Sequence, residues 1–196
     1  MRRTTMLVIC TLALALCAGF ASASTTAPPA ADTLKVDYFS NANTAGAPDG
    51  TLRITDPGTT GGNLCAAIYV FDQYQELSEC CSCLVTPNGL ATFSINKNLT
   101  ANPLTGVKLE TGTIRIVATT AKVVSGNTCV QPTNLNPTPT VRAWSTHIQN
   151  STFAETETAS QDATFSAGEQ NQLQNECYAV SLVGSGAGIC SCGTGD

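Results

Sequence analysis

The chain is poor in the groups that carry most protein chemistry. Only 12% of its 196 residues are charged and 6% are aromatic, and histidine and tryptophan occur once each, at His147 and Trp144. A single histidine leaves no His-x3–5-His pair to complete the usual zinc spacings. No Gly-rich loop follows a strand to cradle phosphate, and no nucleophile elbow is present. Gly184-Ser185-Gly186-Ala187-Gly188 follows a helical pattern instead of preceding one, so its amides face the wrong end for anions. Basic residues are scarce as well. Without Arg2 and Arg3, seven Lys+Arg stand against fourteen Asp+Glu, a net charge of −7. That balance argues against nucleic acid and anionic membrane surfaces, whose phosphates need clustered Lys and Arg.

Long apolar runs are also missing, with one exception at the start. Arg2 and Arg3 precede an apolar stretch from Met6 to Phe20 broken only by Thr11, and Ala21-Ser22-Ala23 ends it. A positive start, a short apolar middle and a small-x-small end make a cleaved secretory signal over residues 1–23. The run is shorter than the roughly 18–20 residues of a bilayer span, so no stable membrane anchor is expected after cleavage. Leu14-Ala15-Leu16-Cys17 departs from a lipobox at Leu16, where a small residue belongs. Residues 24–33, rich in Thr, Ala and Pro, read as a disordered lead-in, and residues 34–196 as one domain.

What the chain does have is cysteine. Eight remain past the signal: Cys65, Cys80, Cys81, Cys83, Cys129, Cys177, Cys190 and Cys192. An even number in an exported chain reads as a disulfide set. On a strand Cys81 and Cys83 share one face and Cys80 points the other way, so this knot must reach partners on both sides. Cys65 and the Cys190/Cys192 pair are the natural candidates, and Cys177 can instead close a local loop to Cys190 or Cys192. The competing reading is a thiolate site for copper(I) or zinc.

The polar residues are mainly Thr, Asn, Ser and Gln, a composition that suits strands with one wet face. Alternation marks strands at Leu34–Phe39, Thr51–Thr55, Leu90–Ile95, Gly112–Thr119, Thr140–Gln149 and Thr152–Thr158, Leu64–Phe71 reads as a buried strand, and Glu76–Thr86 returns beside it. With Pro87-Asn88-Gly89 as its turn, the segment Leu64–Ile95 reads as a three-strand meander stapled within itself. In Thr140–Gln149 the Trp144 face is expected to be the core side. Leu173, Cys177, Val180 and Tyr178 recur at helical spacing within Ser166–Val183. The fold class is therefore mainly β: an antiparallel sandwich, immunoglobulin-like or jelly-roll, with one short C-terminal helix and disulfide staples.

Three groups are candidates for chemistry. His147 with Ser145 two residues earlier suggests a hydrolase, provided one of the fourteen acids supplies the orienting group in space. Glu155 and Glu157, with Asp162 after them, suggest paired carboxylates for glycoside hydrolysis or Ca²⁺. Asp72, Glu76 and Glu79 flank a turn and suggest a weak Ca²⁺ site, without the Asp-x-Asp-x-Asp-Gly loop. Asn98 and Asn150 head glycosylation sequons. Against each stands the plain alternative of a solvated strand face.

The segments Cys65-Ala-Ala-Ile-Tyr-Val-Phe-Asp72, Glu79-Cys-Cys-Ser-Cys83, Asn88-Gly-Leu90, Arg142-Ala-Trp-Ser-Thr-His-Ile-Gln149 and Cys190-Ser-Cys-Gly193 together resemble a group of uncharacterised secreted bacterial proteins. The resemblance covers most of the chain past the signal, implies bacterial export and lends no catalytic residues; no cofactor is expected. The expected function is thus a secreted, non-enzymatic surface or matrix module whose partner is an extracellular protein or glycan. A small hydrolase using His147 or Glu155/Glu157, and a thiolate metal-binding protein, are the alternatives.

Overall fold

The computed structural model describes residues 33–101, 108–138, 141–183 and 189–193. The predicted signal, the lead-in up to residue 32 and Gly184–Gly188 lie outside the described residues. Eleven strands are named in chain order: β1 Leu34–Phe39, β2 Thr51–Thr55, β3 Leu64–Asp72, β4 Leu77–Val85, β5 Leu90–Ser94, β6 Gly112–Thr120, β7 Val123–Ser125, β8 Thr128–Cys129, β9 Arg142–Gln149, β10 Ala154–Ala159 and β11 Gln161–Ala163. They form two antiparallel sheets, in the orders β11-β1-β6-β3-β4-β8-β7 and β10-β9-β2-β5. Among the described residues one α-helix, α1, spans Ala167–Tyr178 and runs into a π-helical turn at Ala179–Val183.

The centre of the large sheet is β3, whose sequence LCAAIYVFD is apolar almost throughout. A strand with one wet face alternates, whereas one covered on both faces does not. Leu64, Ala66, Ile68 and Val70 point at the small sheet, where they meet Leu52, Ile54 and Phe93. Ala67, Tyr69 and Phe71 point the other way, into a second apolar cluster with Leu173 and Cys177 of α1 and Leu135. The architecture therefore has three layers, and the two apolar clusters flank the large sheet. Each fully buried Leu, Ile or Phe contributes about 1.5–3 kcal/mol of transfer free energy.

α1 begins where the sequence offers a cap. Ser166 Oγ accepts from Glu169 N at 3.1 Å, in a Ser-x-x-Glu pattern. Glu169 also pairs with Arg115 of β6, which ties the first turn to the sheet. Only Leu173 and Cys177 of the helix are buried, and Tyr178 is exposed, so the apolar stripe is narrower than the spacing implied.

Two of the expected strands are placed differently from the sequence reading, and the short strands β8 and β11 were not expected. β5 does not continue a meander from β4; it crosses to the small sheet and pairs with β2. The edge it would have occupied beside β4 is taken by β8. Pro87-Asn88-Gly89 is the corner, with Asn88 at φ +59° and no space at Gly89, where a Cβ would lie 2.3 Å from Thr86 Oγ1. The second difference is β9, which presents Ala143, Ser145 and His147 inward and leaves Trp144 half-buried on the outer face. Phe39, Leu52 and Phe93 already fill the space between the sheets, so the inward positions of β9 take small or polar side chains.

Candidate functional site

The sole histidine lies where β9 of the small sheet faces β1 of the large one. His147 Nε2 is 2.7 Å from Thr158 Oγ1, 3.1 Å from Ser145 Oγ and 3.3 Å from Asp37 Oδ1. Asp37 is fixed in turn: its Oδ1 accepts from Tyr38 N at 2.8 Å and its Oδ2 from Ser160 Oγ at 2.6 Å. The Tyr38 ring covers the imidazole at 3.9 Å between centroids. Sequence reasoning paired Ser145 with His147 and missed the acid, because Asp37 is distant in sequence on a strand read by its Leu34/Val36/Tyr38 face. The signal was present in the other face, where Lys35 and Asp37 alternate into Phe39.

A serine, a histidine and an aspartate thus meet, but not as a catalytic relay. A triad histidine takes the serine proton on one nitrogen while the acid holds the other. Here serine, threonine and aspartate all converge on Nε2, and the buried Nδ1 has no hydrogen-bond partner. Ser145 and His147 are each 1% exposed and Asp37 6%, so no substrate reaches them. The cluster is a polar clasp between the two sheets.

Glu155 and Glu157 keep one face of β10, and only Asp162 parts from them. Glu155 and Glu157 lie on the exposed edge strand β10, where Glu157 binds Arg53 Nη1 at 3.1 Å, whereas Asp162 sits in the large sheet and pairs with Lys35. Asp72 is used locally: its Oδ1 accepts from Tyr74 N at 2.8 Å and Glu76 N at 2.9 Å, closing the β3–β4 turn. Glu79 is buried within β4. Asn98 Oδ1 accepts from Ser94 N at 2.7 Å, so this sequon side chain is engaged in the fold.

The cysteines form four bonds: Cys65–Cys129, Cys80–Cys177, Cys81–Cys190 and Cys83–Cys192. The alternation along β4 sets their directions. Cys81 and Cys83 lie in the core between the sheets, and Cys80 lies in the cluster under α1. Cys65 joins Cys129 and not the knot, and Cys177 reaches Cys80 and not the tail. The reason is β3: Cys65 faces outward beside the 128–129 edge, away from the face that carries Cys81 and Cys83. In this oxidised state all eight sulfurs are paired.

A cleft of about 590 Å³ opens beside the clasp, at the end of β1, β3 and β6. Gln73, Gln75, Gln172, Tyr38, Phe71 and Arg115 line it. Arg115 is braced by Glu169 and stands 5.0 Å above the Phe71 ring. Tyr38 is 45% exposed and its hydroxyl accepts from Gln149 Nε2 at 2.8 Å. An aromatic ring beside three amides and a held guanidinium offers stacking, donors and acceptors together.

Fold and staples define the class: an antiparallel β-sandwich with a disulfide-pinned helix on one outer face. No family model matches the chain, and no curated protein or solved structure is significantly similar to it. Among the described residues no helix is long and apolar enough to cross a membrane.

Proposed function

We propose that this chain is an exported, non-enzymatic module of the bacterial secreted group its motifs resemble, and that it binds an extracellular glycan in the Tyr38/Arg115 cleft. The cleft carries the reading. Its volume of about 590 Å³ falls within the range of small-ligand sites. Three glutamine amides supply paired donors and acceptors for neighbouring sugar hydroxyls, and the exposed Tyr38 ring offers a flat face for a pyranose. A net charge of −7 past the signal favours neutral over polyanionic saccharides. The alternative of a hydrolase loses support because His147 and Ser145 are sealed, while Glu155 and Glu157 lie on an exposed edge strand with Glu157 held by Arg53.

Calorimetric titration of the chain from Ser24 onward with neutral oligosaccharides tests the reading. Binding that disappears in Gln73→Ala/Gln172→Ala, with unfolding unchanged, is the expected result. Absence of saccharide binding, or hydrolysis of any substrate that is lost in His147→Ala, overturns it. N-terminal sequencing of the exported protein checks the signal, with Ser24 expected first.

A further inference from the structure

Two of the four staples lie side by side, and their arrangement carries a second chemistry. Cys81-Ser82-Cys83 on β4 and Cys190-Ser191-Cys192 in the tail are joined rung by rung. Across the rungs, Cys81 Sγ and Cys83 Sγ are 3.8 Å apart although they belong to different disulfides. The sulfurs of Cys81, Cys83 and Cys192 all lie within 4.8 Å of one another, and that of Cys190 is bonded to Cys81. A tetrahedral zinc–thiolate site with bonds of about 2.3 Å has sulfur–sulfur edges of roughly 3.8 Å. The Cys81 and Cys83 ends of the two rungs have that spacing, and Cys190, outside the close group but bonded to Cys81, supplies the fourth sulfur once each S–S bond opens and its sulfurs part.

The backbone keeps the two Cys-x-Cys segments together without the bonds. Ile189 bridges Cys80 in parallel, Cys190 N donates to Cys80 O at 3.3 Å, and Ser191 N donates to Asn98 O at 2.9 Å. Access is graded too. Cys80, Cys177, Cys65 and Cys129 are all buried, as are Cys81, Cys83 and Cys190, whereas Cys192 is half-buried and lines two surface clefts. Among the four staples, Cys83–Cys192 therefore presents the sulfur that a solvent-borne thiol meets first.

We infer that Cys81, Cys83, Cys190 and Cys192 form a redox-gated site for a thiophilic d10 cation, closed as two disulfides and assembled when both are reduced. Each disulfide takes two electrons and two protons from one dithiol reductant, which leaves as its own cyclic disulfide. The four resulting thiols release four protons as they bind one divalent cation, giving a complex of charge −2. Zinc(II) fills the four-sulfur tetrahedron; copper(I), which accepts three sulfurs, needs only Cys81, Cys83 and Cys192.

The test uses the full protein past the signal, reduced anaerobically with a limiting dithiol until mass mapping shows Cys81–Cys190 and Cys83–Cys192 open and the other two bonds intact. Cobalt(II), as the optical stand-in for zinc(II), should bind one per chain with the absorption of a tetrahedral four-sulfur centre, and zinc(II) should displace it. A parallel titration with copper(I) separates the two cations. Cys83→Ser/Cys192→Ser, whose fold keeps Cys81–Cys190, should lose binding, whereas Cys65→Ser/Cys129→Ser should retain it. The inference is overturned if neither cation binds at one per chain, or if binding survives in Cys83→Ser/Cys192→Ser. It is also overturned if opening the two bonds abolishes the near-ultraviolet circular dichroism and zinc(II) does not restore it.

Discussion

Removing the staples one at a time should rank them against their separation in sequence. Cys81–Cys190 and Cys83–Cys192 each span 109 residues, Cys80–Cys177 spans 97 and Cys65–Cys129 spans 64. If each closed its own loop, the shortest would contribute least. They do not, because three of them share β4. With Cys81–Cys190 intact, Cys83–Cys192 closes a ring of only about 4 residues, for which the chain-entropy relation gives about 2 kcal/mol. Cys80–Cys177 closes about 15 residues through its neighbour, for about 3 kcal/mol. Cys65–Cys129 has no shortcut, and its 64-residue loop gives about 4 kcal/mol. Paired Cys→Ala variants measured by urea unfolding, with the remaining bonds left oxidised, check the order. Truncating a buried sulfur adds about 1 kcal/mol and does not reorder the pairs. Removing Cys81–Cys190 and Cys83–Cys192 together should cost about 5 kcal/mol, more than their single costs combined, because each masks the other. The reasoning is refuted if Cys83→Ala/Cys192→Ala costs as much as Cys65→Ala/Cys129→Ala.

Two further outcomes come from the strand faces. Burial pushes the Tyr69 phenol well above its ordinary value, and its hydroxyl donates to Pro132 O at 3.0 Å. The folded state therefore holds this proton more tightly than the unfolded chain, so its contribution is complete below the ordinary phenol pKa of about 10 and is lost as pH rises beyond it. Tyr69→Phe should cost about 1 kcal/mol at neutral pH and flatten the loss of stability on the alkaline side, as read from urea midpoints against pH. Trp144, on the outer face, should have its fluorescence quenched by acrylamide in the folded protein, and Trp144→Ala should destabilise less than Phe93→Ala, for which about 3–5 kcal/mol is expected. An unquenched Trp144, or the reverse order of costs, contradicts the orientation of β9.

The legibility of this fold varied with how local its causes are. Alternation in Thr51–Thr55 and the unbroken apolar run of β3 marked their strands directly, and the spacing of Leu173 and Cys177 marked α1. Directions on β4 were legible for the same reason, since period two alone sends Cys80 away from Cys81 and Cys83. What failed was long-range. Nothing between Val85 and Leu90 says that β5 changes sheets, because that outcome depends on β8 claiming the edge of β4. The face of β9 was misread because tryptophan is a core residue by size, whereas here the available volume excluded it. The candidate site was half legible: Ser145 and His147 were visible as a pair, but Asp37 joins them only through the approach of two sheets. The cleft was not legible at all, since its glutamines come from a turn and a helix distant in sequence.

The connectivity of β4 also has a kinetic consequence. A chain made from its N-terminus presents Cys65, Cys80, Cys81 and Cys83 together, long before Cys177, Cys190 and Cys192 have been added. Four early thiols with no correct partner among them are a supply of wrong bonds, and an oxidant acting at once would join them to each other. Every native bond on β4 waits for sulfur nearly a hundred or more residues later. The yield of native protein is then governed by the rate at which mistaken pairs are reshuffled, not by the rate at which thiols are oxidised. A compartment that only oxidises would accumulate trapped isomers of this chain, and one that also isomerises would release it.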